Sequence, residues 1–244
     1  MASSAAALLS KSTESWKPAK RPELPIKPYY SSGGITLYHA DCRHVLPYLD
    51  NFDLLLTDPP YGIRADNCGG RKQAKKGKGT WRDYGDTDWD RERPPASCFN
   101  LMMERCKHQI IWGGNYFSDL LSPSMRWLVW DKGQRNFSLA DCEFAWTNFW
   151  KASRIFTYHR AKANRDARVH PTQKPLALIE WCIRFAEDAQ TVLDPFAGAG
   201  TTLVVAKQLG LNAVGIELNE TYCESAARRL DQASVNDVRT SQET

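Results

Sequence analysis

Metal-binding pairs, disulfide frameworks and membrane spans are what this sequence lacks. Its seven cysteines (42, 68, 98, 106, 142, 182 and 223) are odd in number, scattered and without a C-x-x-C pair. That pattern argues against a disulfide-stapled fold and for reduced thiols. The five histidines are spread as thinly, and no metal is expected. No apolar run approaches the roughly 18 residues that cross a bilayer. The alanine- and serine-rich start, Met1 to Ser12, has only a short apolar stretch with no charged residue ahead of it. It reads as a frayed tail rather than a signal peptide. Charge of one sign is not dominant either, since the net charge is only +4 over 244 residues.

What is present is enough apolar residue for a core, and an uneven charge. Hydrophobic residues make up 42% and charged residues 25%, as in one large globular domain or a domain with a small lobe. Residues 64–82 hold seven Lys/Arg against one Asp, and residues 151–168 hold six against one. Those segments carry +6 and +5, so the remainder carries −7 to reach the total of +4. Two basic stretches on an acidic body are an electrostatic footprint for nucleic acid. Arg71, Lys72, Lys75, Lys76 and Lys78 in the first, and Arg154, Arg160, Lys162 and Arg165 in the second, are candidate phosphate contacts. Trp81, Tyr84 and Trp89 lie near the first set and could wedge into or stack on bases.

The stretch Leu54-Leu55-Leu56-Thr57-Asp58-Pro59-Pro60-Tyr61-Gly62 organises the chain. An apolar run ending in an acid, two prolines and an aromatic reads as a buried strand that stops at a rigid loop. The prolines fix φ and remove two N–H donors, which leaves backbone carbonyls as free acceptors. With the Asp58 carboxylate and the Tyr61 ring beside them, the set suits a flat substrate carrying an NH2 group. Ahead of it, Ile35 to Tyr38 reads as a strand, and Asp41 as the cap of a helix over Cys42 to Leu49. Strand, helix, strand implies a parallel sheet. Residues 63–96 break the pattern with glycine, lysine and aspartate, as a functional or disordered loop would. Beyond them the sequence predicts a helix over 98–107, a strand over 109–112, a helix over 116–121 and a strand over 126–131. Two further strands, 144–150 and 153–158, are expected to pair with the last as an antiparallel edge.

The carboxyl-terminal third has a second organised stretch. Pro175 suits the first turn of a helix whose apolar face is Leu178, Ile179, Cys182, Ile183 and Ala186. A strand, Thr191 to Asp194, then runs into Pro195-Phe196-Ala197-Gly198-Ala199-Gly200-Thr201-Thr202, a helix from Leu203 to Leu209, and a strand from Asn212 that ends at Glu217. A last helix runs from about Glu220 to Leu230. Strand, glycine-rich turn, helix, strand and terminal acid is the logic of a doubly wound nucleotide site, with Glu217 placed to take ribose hydroxyls. A dinucleotide fingerprint needs Gly or Ala three positions after Gly200, where this chain has Leu203. Pyrophosphate is thereby disfavoured, and a ligand with ribose and adenine but no phosphate fits better; S-adenosylmethionine is the common one.

Asp58-Pro59-Pro60-Tyr61 together with Asp194-Pro195-Phe196-Ala197-Gly198-Ala199-Gly200-Thr201 resembles the pair of signature motifs of the DNA amino-methyltransferases. These enzymes transfer methyl from S-adenosylmethionine to adenine N6 or cytosine N4. His170-Pro171-Thr172-Gln173-Lys174-Pro175 is similar to a third family motif, and the motif order is that of the permuted beta-type group. The resemblance spans about residues 35–232. It implies an α/β, Rossmann-like, doubly wound, mostly parallel sheet with a small inserted recognition lobe. The chain would divide into an arm (1–34), a catalytic half (35–131) with the basic loop, a target-recognition segment (132–169), a cofactor half (170–232) and a tail (233–244).

By the same resemblance, Asp58, Pro59, Pro60 and Tyr61 would handle the target base. Asp194, Phe196, Gly198, Gly200 and Thr201 would wrap the cofactor, Glu217 would hold its ribose, Asp41 would border its adenine, and Thr172 and Lys174 would lie near its methionine end. The implied partner is double-stranded DNA, without a membrane and with a restriction endonuclease as a compatible companion, in a bacterial or phage-infected cytoplasm. An Asp at the head of the motif goes more often with adenine than with cytosine, so adenine N6 is the first expectation and cytosine N4 the second. A non-catalytic nucleic-acid binder on the same scaffold is disfavoured by the intact acid, aromatic and glycine set. A nicotinamide oxidoreductase is disfavoured by Leu203.

Overall fold

A computed structural model describes residues 23–64, 90–135, 140–159 and 173–234. Among them one sheet of nine strands forms the centre of the molecule, in the order β1-β2-β9-β8-β3-β4-β6-β5-β7. The first strands are β1 (Tyr30–Ser32), β2 (Ile35–His39) and β3 (Phe52–Thr57). Then come β4 (Cys106–Trp112), β5 (Trp127–Asp131), β6 (Cys142–Thr147) and β7 (Arg154–Thr157). The last two are β8 (Thr191–Asp194) and β9 (Asn212–Glu217). The run β2-β9-β8-β3-β4 is parallel throughout. β3 leads outward to β4 on one side, and β8 leads outward to β9 on the other. The strand order therefore reverses between β3 and β8, where open α/β sheets place their ligand crevice.

The triple leucine of β3 shows why this strand is central. Leu54 and Leu56 point to one face of the sheet and Leu55 to the other, and all three are fully buried. Strands covered on both faces read as continuous apolar runs because the period of two is satisfied twice. The Leu54 face is covered by α3 (Leu176–Ile183), α4 (Thr201–Gln208) and α5 (Glu220–Gln232). The Leu55 face is covered by α1 (Cys42–Val45) and α2 (Ala96–Glu104). The five apolar positions expected on the helix after Pro175 are all buried, Ala186 lying just past its end.

Leu203 explains how the helix after the glycine turn packs without a small residue. It is fully buried on α4 and lies over Gly215 of β9, where an added Cβ would stand 2.6 Å from the Leu203 Cδ1 atom. The room for close helix–strand approach is made by a glycine on the neighbouring strand rather than on the helix.

Several expected elements differ. The segment expected to be arm up to residue 34 enters the sheet at Tyr30, because Tyr30–Ser32 turns back on β2 through Gly33 and Gly34. The helix expected over 42–49 is one α turn followed by a 3-10 turn, Leu46–Tyr48, with Pro47 inside it. The expected helix over 98–107 runs over Ala96–Glu104, and β4 starts almost at once, at Cys106. Over 116–121 the chain forms only a 3-10 turn, Gly114–Tyr116, and hydrogen-bonded turns. β6 pairs antiparallel with β5 and β4 as expected of an edge, but β7 pairs parallel with β5. β5, β6 and β7 thus continue the main sheet instead of standing apart as a lobe. The basic candidates Arg71, Lys72, Lys75, Lys76, Lys78, Arg160, Lys162 and Arg165, and also Thr172, lie outside the described residues, as do residues 1–22 and 235–244.

Gly215→Val would force its side chain into Leu203 across a packed helix–sheet contact. A loss of about 1–3 kcal/mol in unfolding free energy is expected, read from the urea midpoint at unchanged m-value.

Candidate active site

Two loops leave the carboxyl ends of adjacent parallel strands and meet. The pairing of Leu54 with Val192 and Leu55 with Leu193 sets β3 and β8 in register, so the loops after Thr57 and Asp194 leave neighbouring strand ends. The Thr57 hydroxyl donates to Asp194 Oδ1 at 2.8 Å and ties the two strand ends together. A single cavity of about 760 Å3 opens over this junction. Its wall includes Asp41, Asp58 to Tyr61, Lys174, Asp194, Phe196, Gly198, Thr201 and Glu217. The expected base-handling and cofactor-handling residues within the described chain thus border one space, with Gly200 just behind it as the cap position of α4. Arg154 is elsewhere: it is exposed on β7, at the far edge of the sheet.

The glycine turn works through its backbone. Gly198 and Gly200 both take positive φ, 52° and 73°, which turns the chain sharply between β8 and α4. The Gly198 N–H donates to Glu217 Oε2 at 2.8 Å, and the Asn219 N–H donates to Oε1 at 2.7 Å. Each Glu217 oxygen keeps a further lone pair for a hydroxyl. Burial raises the Glu217 carboxyl above its usual value despite those two donors. Burial likewise pushes Asp194 up to about 6, against hydrogen bonds from Thr202, Thr57 and the Phe196 N–H. Asp41 caps α1 by accepting from the Arg43 N–H at 2.9 Å and also holds the Arg43 guanidinium.

The Asp58 loop is pinned from behind. Asp90, fully buried, accepts the Tyr61 N–H at 2.6 Å and the Gly62 N–H at 2.8 Å. The Tyr61 ring stacks on Tyr116, with centroids 4.7 Å apart, and its hydroxyl donates to Asp58 Oδ1 at 2.5 Å. The other carboxylate oxygen, Oδ2, holds the Lys174 ammonium. Each Asp58 oxygen thus already has one partner, and one face of the Tyr61 ring is covered. Lys174 is 5% exposed, lies 5.1 Å from the centre of the Trp112 ring, and makes a second ion pair with Glu143 Oε2 at 3.3 Å. Glu143 in turn holds Lys132 at 2.6 Å. Burial opposes the charges of this chain, and the partners decide the outcome. The Lys174 ammonium is favoured by Asp58 and Glu143, Glu143 is held down at about 2 by Lys174 and Lys132, and Asp58 remains raised by its burial.

Asp90, Glu143, Trp112 and Tyr116 were not among the expected site residues. No spacing signal marks them, because each reaches the site from a different strand or loop. Among the described residues no group of three His, Cys, Asp or Glu is arranged to hold a metal ion, and no helix is long and apolar enough to cross a membrane.

Comparison with known proteins points to a family. A family described as DNA methylase, covering N6 and N4 enzymes, matches residues 131–228. The Type II methyltransferase M2.DpnII of Streptococcus pneumoniae is 26% identical over 258 aligned positions, covering 85% of this chain and 94% of that protein. The family match and the Type II methyltransferase relatives support a DNA amino-methyltransferase family for this chain. Solved structures agree on the fold. The complex of M1.HpyAVI with S-adenosylmethionine superposes with a TM-score of 0.54 at 21% identity, over 81% of this chain and 99% of that one. The PvuII cytosine-N4-specific DNA methyltransferase gives 0.56 at 15% identity, over 85% and 90%. S-adenosylmethionine is the cofactor of that family, and the cavity of this chain fits it. Its volume lies within the roughly 300–1,000 Å3 of small-molecule sites. A buried carboxylate on its wall, Glu217, keeps lone pairs able to accept from hydroxyls, and Phe196 offers an apolar wall.

The raised Asp194 makes a pH prediction. The native state holds a proton on this carboxyl between pH 3.8 and about 6, where the unfolded chain has lost it. Its contribution therefore lowers stability as pH rises through that window, by about 3 kcal/mol at the upper end. Urea midpoints measured from pH 4 to 7 should show this slope in the wild type, and Asp194→Asn should flatten it.

Proposed function

We propose that this methyltransferase moves the methyl group of S-adenosylmethionine to the exocyclic amine of a DNA base swung out of the helix, with adenine N6 as the target. The observation that supports this most is the single cavity joining Asp58 and Pro59 to Gly198 and Glu217. When bound, S-adenosylmethionine supplies an electrophilic methyl on a sulfonium sulfur. The residues of the chain do the rest. Glu217 accepts the ribose hydroxyls, Asp41 borders the adenine and Phe196 walls it. Asp58 and the Pro59 carbonyl accept the N–H bonds of the target amine. That draws nitrogen lone-pair density out of the aromatic ring and orients it, by alignment and preorganised acceptors. Tyr61 and Tyr116 offer aromatic surface for a base that has left its stack. A base inside a duplex cannot reach this crevice, so extrusion is part of the reading. Lysines and arginines of the segments around 71–78 and 154–165 hold phosphates, which makes binding fall steeply with salt. A bacterial or phage-infected cytoplasm is where such a substrate lies. An endonuclease that cuts the same unmethylated site is the companion this reading admits.

The test is mass spectrometry of nucleosides from duplex DNA incubated with the protein and methyl-labelled S-adenosylmethionine. N6-methyladenine is expected, labelled N4-methylcytosine would move the target to the other base, and the absence of label would reject the reading. Asp58→Asn should lower the turnover rate at least about 100-fold with cofactor affinity kept, by single-turnover assay and calorimetry. Glu217→Ala should instead weaken cofactor affinity about 10- to 100-fold by calorimetry.

A further inference from the structure

We infer that Glu143 is a positioning residue that takes over the Lys174 ammonium when the target amine claims Asp58. The inference rests on the proposed function and adds a step that frees the acceptor. Both Asp58 oxygens are engaged, one by Tyr61 and the other by Lys174. Each Asp58 oxygen has one lone pair taken, so an approaching amine competes with Lys174 for Oδ2, and Lys174 cannot retreat into water because it is almost wholly enclosed. A buried ammonium stripped of its partner is among the most costly states in a protein interior. The fold supplies a second partner. Glu143, near the start of β6, already stands 3.3 Å from Lys174. It borders the same cavity. A small movement of the lysine stem exchanges a short contact to Asp58 and a long one to Glu143 for the reverse. The Trp112 ring, in cation–π contact with Lys174, gives the ammonium a surface along which to move.

The charges arranged around Asp58 make this separable from a structural role. Asp58 faces Lys174, the Tyr61 hydroxyl and Asp194 across the strand ends, and Glu143 beyond Lys174, with Lys132 behind Glu143 and Tyr116 behind Tyr61. Glu143 is an anion that raises the Asp58 carboxyl and also draws Lys174 away from it. Glu143→Gln removes both effects. Lys174 then stays on Asp58, and Asp58 ionises more readily. The amine finds its acceptor held, yet the acid limb of the pH profile moves to lower pH. A residue that merely supports the fold would lower activity without moving that limb.

The experiment compares the full-length wild type, Glu143→Gln, Glu143→Asp and Lys132→Met. Single-turnover methyl transfer to duplex DNA is followed from pH 5 to 9, with S-adenosylmethionine affinity by calorimetry. Glu143→Gln is expected to lower the plateau rate about 10- to 100-fold with cofactor affinity within about threefold, and to shift the acid limb downward. Glu143→Asp should restore part of the rate, and Lys132→Met should stay within about threefold of wild type. The inference is overturned if Glu143→Gln transfers methyl at the wild-type rate, if its limb does not move, or if Lys132→Met reproduces the full loss, because Glu143 would then only hold Lys132. Loss of cofactor binding in Glu143→Gln would also overturn it. An inactive wild type would defeat the proposed function itself, which keeps the two failures distinct.

Discussion

The parallel pairing of β3 with β8 is the constraint from which the site follows. It brings two loops that are 137 residues apart into contact through the Thr57–Asp194 hydrogen bond. Were these strands not neighbours, the Asp58 loop and the glycine turn would each be an ordinary strand-ending bend. Because they are, the sheet's reversal point becomes a cavity with an acid and proline carbonyls on one side and a glycine turn and carboxylate on the other. The apolar character of β3 and the helices on both faces hold that register, since a slip by one residue would turn Leu55 and Leu54 onto the wrong faces.

The site is electrostatically costly, and the cost is distributed along a chain of alternating charges. Asp58, Lys174, Glu143 and Lys132 succeed one another, the first three on the cavity wall. Asp58 and Glu143 each keep 28% of their side chain open, toward the cavity they share. Such a chain defines positions more than it adds stability, because the attraction of each pair mainly offsets the desolvation of its members. Under the proposed function, its consequence is that the Asp58 carboxylate is held in place by Tyr61 and Lys174.

Legibility in the sequence divided along physical lines. The strand ends were readable because backbone chemistry announces them: two prolines after Asp58, two glycines after Asp194, and an acid closing the strand at Glu217. Leu203 was read correctly as a departure from a dinucleotide turn, but the glycine that makes room for it, Gly215, sits on another strand and carries no local signal. Glu143 and Asp90 were unreadable for the same reason. Their partners lie 31 and 29 residues away along the chain, and only the sheet brings them together. The parallel pairing of β7 was missed because a short strand near a turn looks like a hairpin, whereas β6 intervenes between β4 and β5 and leaves β5 open on its other side. Aromatic stacking of Tyr61 on Tyr116 depends on a turn that the sequence pattern presented as a helix.

The central claim is that the amine of an extruded base is held by Asp58 at the mouth of the cofactor cavity. A crystal structure of the protein with S-adenosylhomocysteine and a duplex carrying its target sequence tests this directly. The account predicts the exocyclic nitrogen about 3 Å from both the Asp58 carboxylate and the Pro59 carbonyl oxygen. A target base still stacked in the duplex, or seated with its amine directed away from Asp58, would contradict it.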